Sequence, residues 1–350
     1  MSQPIAFVFP GQGSQAVGMG ADLHAASPAA RSVFDAADTA LGFALSRLCF
    51  EGPEDTLRET INAQPAIVTV SLALLAALRE AMGAAPPDVR AAPLFAGAPR
   101  PAYVAGHSVG EYTALAVAGA LDLAATLRLV RERGRLMHEE GTRCAGGMAA
   151  IIGLDDATLV DVCATATERA RAELGEAATA PDTHPGAGHV IVANYNSPGQ
   201  TVLSGEQRAL ELAMDLARER GARRVLPLAV SGAFHSPVMA PAATGLAAAI
   251  AQAPIQAPAI PLISNITAAP LTAAPALRDE LAHQIAAPVQ WTRTIEYLAG
   301  QGVETFVEIG PGQVLSGLIK RIAKGPTLLA VGAAADIPTV AERLATLMGA

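Results

Sequence analysis

The chain has 350 residues, 51% hydrophobic but only 4% aromatic, with 16% charged residues and a net charge of −8. The length fits two domains, or one large α/β unit with an insertion, and the apolar content excludes general disorder. A balance of 24 Lys and Arg against 32 Asp and Glu, with 8 Phe, 4 Tyr and 1 Trp, argues against a nucleic-acid binder.

Ile5–Phe9 reads as a buried strand closed by Pro10-Gly11, and Gly11-Gln12-Gly13-Ser14-Gln15 as a permissive turn. Helical patterns follow over Pro28–Leu41 and Gln64–Met82. Gly83–Pro101 carries Pro86, Pro87, Pro93, Pro99 and Pro101 and is expected to be an irregular surface excursion. A second strand at Ala102–Ala105 leads to helices at Glu111–Ala120 and Ala124–Glu140. The pattern then changes: strand Met148–Leu154, helix Asp156–Leu174, strands Val190–Ala193 and Thr201–Ser204, helix Gln207–Arg220, strand Val225–Val230. That order is ferredoxin-like, with the Ala/Pro/Gly-rich loop Gly175–Gly188 between its halves. Larger α/β units return with helix Pro241–Ala253, strand Ile260–Ser264, helices Ala276–Ala286 and Trp291–Gln301, strand Thr305–Glu308 and helix Val314–Ala323. The expected architecture is one α/β body with a mostly parallel sheet, residues 1–143 and 230–350, interrupted by an inserted subdomain, residues 144–229.

The longest apolar stretch, Ala66–Leu78, is shorter than the ~18–20 residues a membrane span needs. Met1–Phe9 does not read as a signal peptide. Cys49, Cys144 and Cys163 are odd in number and widely spaced, so they predict reduced structural thiols in a cytoplasmic protein, with neither a zinc site nor a disulfide framework.

The strongest local signal is Gly106-His107-Ser108-Val109-Gly110, which follows a strand and opens a helix, the context of a nucleophile elbow. A Cβ at Gly106 or Gly110 would collide with neighbouring backbone in so tight a turn. The helix N-terminus favours a developing anion, and the Val109 N–H is placed to donate to it. The serine needs a base. His107 is expected to diverge from Ser108, and His24, His138, His184 and His189 read as solvated. His235, in the loop after a strand, and His283, one turn after Asp279, remain nearly even on pattern alone.

Arg133 lies within an apolar stripe of Leu129, Val130, Leu136 and Met137, whereas Arg128, Arg131 and Arg135 fall off it. An inward guanidinium needs an anion: either a structural carboxylate such as Glu111 or a substrate carboxylate held bidentately. A rival motif, Gly11-x-Gly13-x-x-Ala16 with Asp35 and Asp38 about 20 residues on, matches a dinucleotide fingerprint. Pro10, Gln12 and Gln15 are unlike a bare phosphate loop, and no helix pattern starts cleanly at Gly13.

These segments, with Arg133–Met137, Asn194–Gln200, Ala233–Ser236, Pro288–Trp291 and Glu308–Gly312, resemble in order and spread the malonyl-CoA:acyl carrier protein transacylases of fatty acid synthesis and the acyltransferase domains of polyketide synthases. The resemblance implies an α/β-hydrolase-like body with an inserted ferredoxin-like subdomain. It makes Ser108 the acylated nucleophile and His235 its base, gives the oxyanion hole to the backbone N–H groups of Gln12 and Val109, and has the Gln284 carbonyl orient the histidine. Arg133 becomes the malonyl clamp, with Phe234, Gln284 and Met137 completing the substrate-binding set. Phe234 and Val109 are similar to malonyl-specific members rather than methylmalonyl-specific ones. The implied substrates are CoA thioesters, malonyl-CoA first, with holo acyl carrier protein as partner. No bound cofactor or metal, no nucleic acid, no membrane and a monomeric state are expected. Arg223-Arg224 and Lys320-Arg321 with Lys324 are candidates for docking an acidic carrier. Gly83–Arg100 and Gly175–Gly188 are longer than the family usually has. A polyketide or malonate-decarboxylase acyltransferase, a serine hydrolase with the same elbow, and a binding module are the alternatives.

Overall fold

The computed structural model describes residues 4–95 and 100–348. Residues 1–3 of the amino-terminal reading, and residues 96–99 with Pro99 of the proline-rich excursion, lie outside the described residues. The chain opens with β1 (Ile5–Phe9), then α1 (Ala21–Ala26), α2 (Pro28–Leu41), α3 (Leu45–Glu51), α4 (Glu54–Arg58) and α5 (Thr60–Ala81). β2 (Tyr103–Gly106), α6 (Gly110–Val117) and α7 (Leu123–Arg143) follow. The middle of the chain is β3 (Gly146–Ile152), α8 (Asp156–Leu174), β4 (Val190–Ser197), β5 (Gln200–Glu206), α9 (Gln207–Glu219) and β6 (Arg224–Pro227). It ends with α10 (Ala240–Gln252), β7 (Leu262–Ile263), β8 (Pro270–Leu271), α11 (Ala274–His283), α12 (Trp291–Gly300), β9 (Thr305–Ile309), α13 (Val314–Ile322), β10 (Thr327–Val331) and α14 (Ile337–Met348).

Two sheets result. The first has the order β10-β9-β1-β2-β7-β8 and is parallel except for the β7–β8 pair. Its central strand β1 is buried at every position, as a strand covered on both faces must be. The second sheet, β4-β5-β3-β6, is antiparallel and carries α8 and α9, whose apolar faces close a separate core around Leu159, Val162, Leu203 and Leu216. The fold is thus mixed α/β with a parallel-rich sheet.

Three sequence expectations need correction. β10 and α14, like α1, α3, α4 and β8, were not foreseen; β10 carries the apolar run Leu328–Val331 but, as the edge strand, is half-buried along most of its length. β6 stops at Pro227, short of Val230. The apolar stretch at Ala66–Leu78 belongs to a 22-residue helix, α5, long and apolar enough to cross a membrane by length and composition. Its apolar window is 94% buried inside the protein, packed against α2, α6, α7 and α14, so it is a core helix here. Pro65 lies inside the helix, past its first turn, and the Ile61 carbonyl that it leaves without a helical N–H accepts from Arg131 Nη1 at 2.6 Å.

Candidate active site

β2 ends at Gly106 and α6 begins at Gly110, so three residues make the whole strand-to-helix turn. A Cβ on Gly106 would lie 2.0 Å from the Gly110 carbonyl carbon and oxygen, and one on Gly110 would lie 2.2 Å from the Phe9 oxygen. The collision expected at both glycines is therefore with backbone, which cannot rotate away. Ser108 sits at the apex with φ of 53°. Asn265, just past β7, straps this strained turn: its Oδ1 accepts the Ser108 N–H at 2.8 Å and its Nδ2 donates to the Gly106 oxygen at 2.7 Å.

Of the two histidines left even by pattern, the fold brings His235 to the elbow. Ser108 Oγ lies 2.7 Å from His235 Nε2. His235 Nδ1 faces two carbonyl oxygens, Gln284 at 2.9 Å and Ala287 at 3.2 Å. Carbonyls only accept, so Nδ1 carries the proton and Nε2 is the free acceptor. Burial, then the charge of Arg133, push the imidazole down to about 3. His283 is exposed and bonds its own helix at the Asp279 oxygen.

His107 does diverge: its Nε2 meets Asn196 Oδ1 at 2.8 Å, and its ring lies edge-on to Trp291. The other histidines are less solvated than expected. His184 pairs with buried Glu140 at 2.7 Å, His189 meets Arg171 at 3.0 Å, and His24 packs on Phe34 and Phe50.

Arg133 is 1% exposed. Its Nη1 donates to Gln64 Oε1 at 2.6 Å, and its Nη2 to Gln284 Oε1 at 2.9 Å and Ser108 Oγ at 3.2 Å. No carboxylate holds it directly: Glu111 reaches it only through the Gln284 amide, whose Nε2 donates to Glu111 Oε2. Of the two readings for this guanidinium, the direct ion pair with Glu111 is absent among the described residues. Two neutral amides and the ring of Tyr112 surround the cation, which has no direct ion-pair partner among the described residues.

A cleft of about 240 Å³ opens over Ser108 and His235. Gln12, Val109, Arg133, Met137 and Phe234 all line it. The backbone N–H groups of Gln12 and Val109 have no acceptor among the described residues. Gly11 presses on the elbow, where a Cβ would lie 2.6 Å from the His107 oxygen. The glycine-rich turn thus belongs to this cleft, and Asp38, the would-be ribose acid, instead holds Ser46 Oγ and N–H at the start of α3. Among the described residues, no group of three or more His, Cys, Asp or Glu side chains could hold a metal ion. The three cysteines are free and buried, and burial raises Cys49 and Cys163 to about 12.

Residues 6–341 match the acyl transferase domain family. The chain belongs to that family. This acyltransferase is 42% identical to the malonyl CoA-acyl carrier protein transacylase of Escherichia coli K12, over 91% of this chain and 92% of the relative. It is 40% identical to the protein of the same name from Bacillus subtilis strain 168, over 98% and 97%. Among solved structures, a malonyl-transacylase in complex with a type II PKS acyl-carrier protein superposes with a TM-score of 0.85 at 37% identity, covering 97% of the acyltransferase and 99% of that chain.

Sequence reasoning missed Gln64, Asn265 and Asn196 as parts of the site. Asn265 carried a usable signal, since it directly follows a strand at the carboxyl edge of the sheet, where such sites gather. Gln64 carried none, being one polar residue in a long apolar helix.

Proposed function

We propose that this chain is a malonyl-CoA:acyl carrier protein S-malonyltransferase working by a ping-pong acyl-serine mechanism, in the supply of malonyl units for fatty acid synthesis. The observation that carries the reading is the Arg133 guanidinium, with no direct ion-pair partner among the described residues, 3.2 Å from the Ser108 hydroxyl, itself 2.7 Å from His235. In malonyl-serine the carboxylate lies two carbons from the ester oxygen, so a cation this close to Oγ suits a three-carbon diacid.

In this mechanism His235 Nε2 takes the Ser108 proton as Oγ attacks the thioester carbonyl. The N–H groups of Gln12 and Val109 receive the oxyanion. The intermediate collapses, CoA leaves as the thiol with the proton from His235, and malonyl-Ser108 remains. The phosphopantetheine thiol of holo carrier protein enters, gives its proton to His235 and attacks the ester carbonyl; the intermediate collapses, Ser108 Oγ leaves and takes that proton back from His235, and the carrier departs with the malonyl group. Arg133 holds the carboxylate throughout, Gln284 and Met137 flank it, and Phe234 limits the α-carbon. The protons all travel through His235, so the reaction as drawn uses no cofactor or metal.

The same reading treats residues 144–229, with their strand–helix–strand–strand–helix–strand order, as a ferredoxin-like unit inserted in an α/β-hydrolase-like body, residues 1–143 and 230–350. It places the enzyme in the cytoplasm, as a monomer. The polyketide carrier bound to the malonyl-transacylase relative supports a second acceptor, the carrier of a type II polyketide synthase. The test loads the protein with labelled malonyl-CoA, digests it and locates the label, then offers holo carrier protein or water. Label on any residue but Ser108, or undiminished loading in Ser108→Ala, overturns the mechanism. Fast release to water without carrier would make the protein a hydrolase.

A further inference from the structure

Two carboxyl groups lie buried behind this site, and no step of the transfer uses them. Glu111, in the first turn of α6, is fully buried, and Glu280, near the end of α11, is 5% exposed. Glu111 Oε1 accepts the Asn265 N–H at 3.0 Å, and Oε2 accepts Gln284 Nε2. Each of those partners acts on the reacting groups. Asn265 spans the elbow from the Ser108 N–H to the Gly106 oxygen. Gln284 Oε1 accepts from Arg133 Nη2 at 2.9 Å and its backbone oxygen from His235 Nδ1, also at 2.9 Å, while its Nε2 also donates to the Ser108 oxygen at 2.9 Å. One carboxyl group is therefore a single residue removed from the nucleophile, the base and the guanidinium.

Charge fixes which way round the Gln284 amide sits. With Oε1 on the guanidinium and Nε2 on the carboxylate, both ends are satisfied. Reversed, an NH₂ would face a cation and a C=O an anion. That orientation holds only while Glu111 offers an acceptor. Glu280 is satisfied by the turn after β7, accepting from the Ser264 hydroxyl at 2.5 Å and the Ile266 N–H at 3.0 Å. Burial raises both carboxyls, and the charge of Glu280 adds to the rise at Glu111.

We propose that Glu111 is a positioning residue for the transfer, orienting the Gln284 amide so that Arg133 stays aimed at the acyl site, and holding Asn265 so that the elbow stays closed. The inference rests on Arg133 being the malonyl clamp. The test measures kcat/KM for malonyl-CoA and for acetyl-CoA in the wild type, Glu111→Gln, Glu111→Asp and Arg133→Ala, with melting temperatures alongside. A glutamine of the same shape places an N–H donor against either Asn265 or Gln284. Glu111→Gln should lower the malonyl value about tenfold more than the acetyl value, the scale of one buried charge-assisted contact, with Glu111→Asp in between. A merely structural carboxyl would lower both values by one common factor. If Arg133→Ala lowers the malonyl-to-acetyl ratio and Glu111→Gln does not, the positioning role is overturned. If Arg133→Ala also leaves it unchanged, the clamp reading is what fails. Should Glu111→Gln not fold, Glu111→Asp decides: a ratio lowered more than twofold supports the role, and a smaller change overturns it.

Discussion

Ser108 Oγ and His235 Nε2 stand 2.7 Å apart, and each of these residues holds a left-handed backbone, with φ of 53° and 58°. Non-glycine residues in that region cost on the order of 1–3 kcal/mol each and persist only where their surroundings over-determine them. Here the surroundings are nameable. Asn265 clasps the turn at Ser108, and the His235 N–H is fixed on the Ile285 oxygen at 2.9 Å.

Burial and the nearby Arg133 charge push His235 down to about 3, so the imidazole is neutral across the physiological range. The sign follows: lowering the pH does not protonate the base until far below an ordinary histidine. Since kcat/KM reports the free enzyme, its value for malonyl-CoA should stay level from about pH 8 to about pH 5. An unperturbed histidine would make it fall about tenfold per unit below ~6.5. A malonyl carboxylate on Arg133 removes one cause of the depression, so kcat should break at a higher pH than kcat/KM. A kcat/KM profile bending near 6.5 would contradict this arrangement.

Replacing Arg133 by alanine removes a cation already held by Gln64 and Gln284. Loss of a charge-assisted contact of this kind costs ~1.5–3 kcal/mol, so malonyl-CoA should lose about ten- to a hundredfold in kcat/KM. Acetyl-CoA has no carboxylate to lose, and its rate should hold or rise. Competition between the two donors reads the ratio directly; a wild-type ratio would sink the clamp.

Phe234 is 5% exposed and lines the cleft beside His235. Phe234→Ala opens space at the α-carbon, and one methyl group in a pocket is worth ~1–3 kcal/mol. Methylmalonyl-CoA should therefore gain on malonyl-CoA by about tenfold in a mixed-donor assay. An unchanged preference would place size selection elsewhere in the cleft.

Much of this site was legible because its constraints are local. Gly106 and Gly110 announce a turn with no room for a side chain, and the stripe around Arg133 shows that a charge points inward. The clasp by Asn265 and the two amides on Arg133 were not legible, because they join residues far apart in the chain through single polar atoms. β10 and α14 were legible but went unread: Leu328–Val331 is an apolar run, and Ile337, Val340, Ala341 and Leu344 form a buried stripe at helical spacing. The ambiguity between His235 and His283 was of the first kind, and three-dimensional proximity resolves it.

The elbow glycines allow a stability test with a built-in control. Gly106→Ala sets a Cβ 2.0 Å from backbone, whereas a Cβ at Gly317, inside α13, meets nothing within 4 Å. Gly106→Ala should cost on the order of 4 kcal/mol or more, or yield no soluble protein. Gly317→Ala should be neutral or stabilising by ~0.5–1 kcal/mol, since glycine is the poorer helix residue. Urea midpoints compare them, and a mild Gly106→Ala would show that the turn can relax.

The two basic patches differ in their relation to the cleft. Arg321, on α13, donates to Gln200 Oε1 at the start of β5, and Gln200 lines the cleft together with Val314, Leu315 and Leu318 of the same helix. Val314 and Leu228 form an exposed apolar rim there. Arg224 begins β6, while the cleft-lining Leu228 follows that strand's far end, about 13 Å away at ~3.3 Å per residue. An acidic carrier delivering a thiol to Ser108 should therefore use Lys320 and Arg321 more than Arg223 and Arg224. Lys320→Glu combined with Arg321→Glu should slow transfer to holo carrier protein about tenfold at low salt, with the gap closing as salt screens the surface. Acylation of Ser108 by malonyl-CoA should be unchanged, and the Arg223→Glu, Arg224→Glu pair should have the smaller effect. Equal losses in both half-reactions, or a larger effect from the β6 pair, would move the docking surface away from α13.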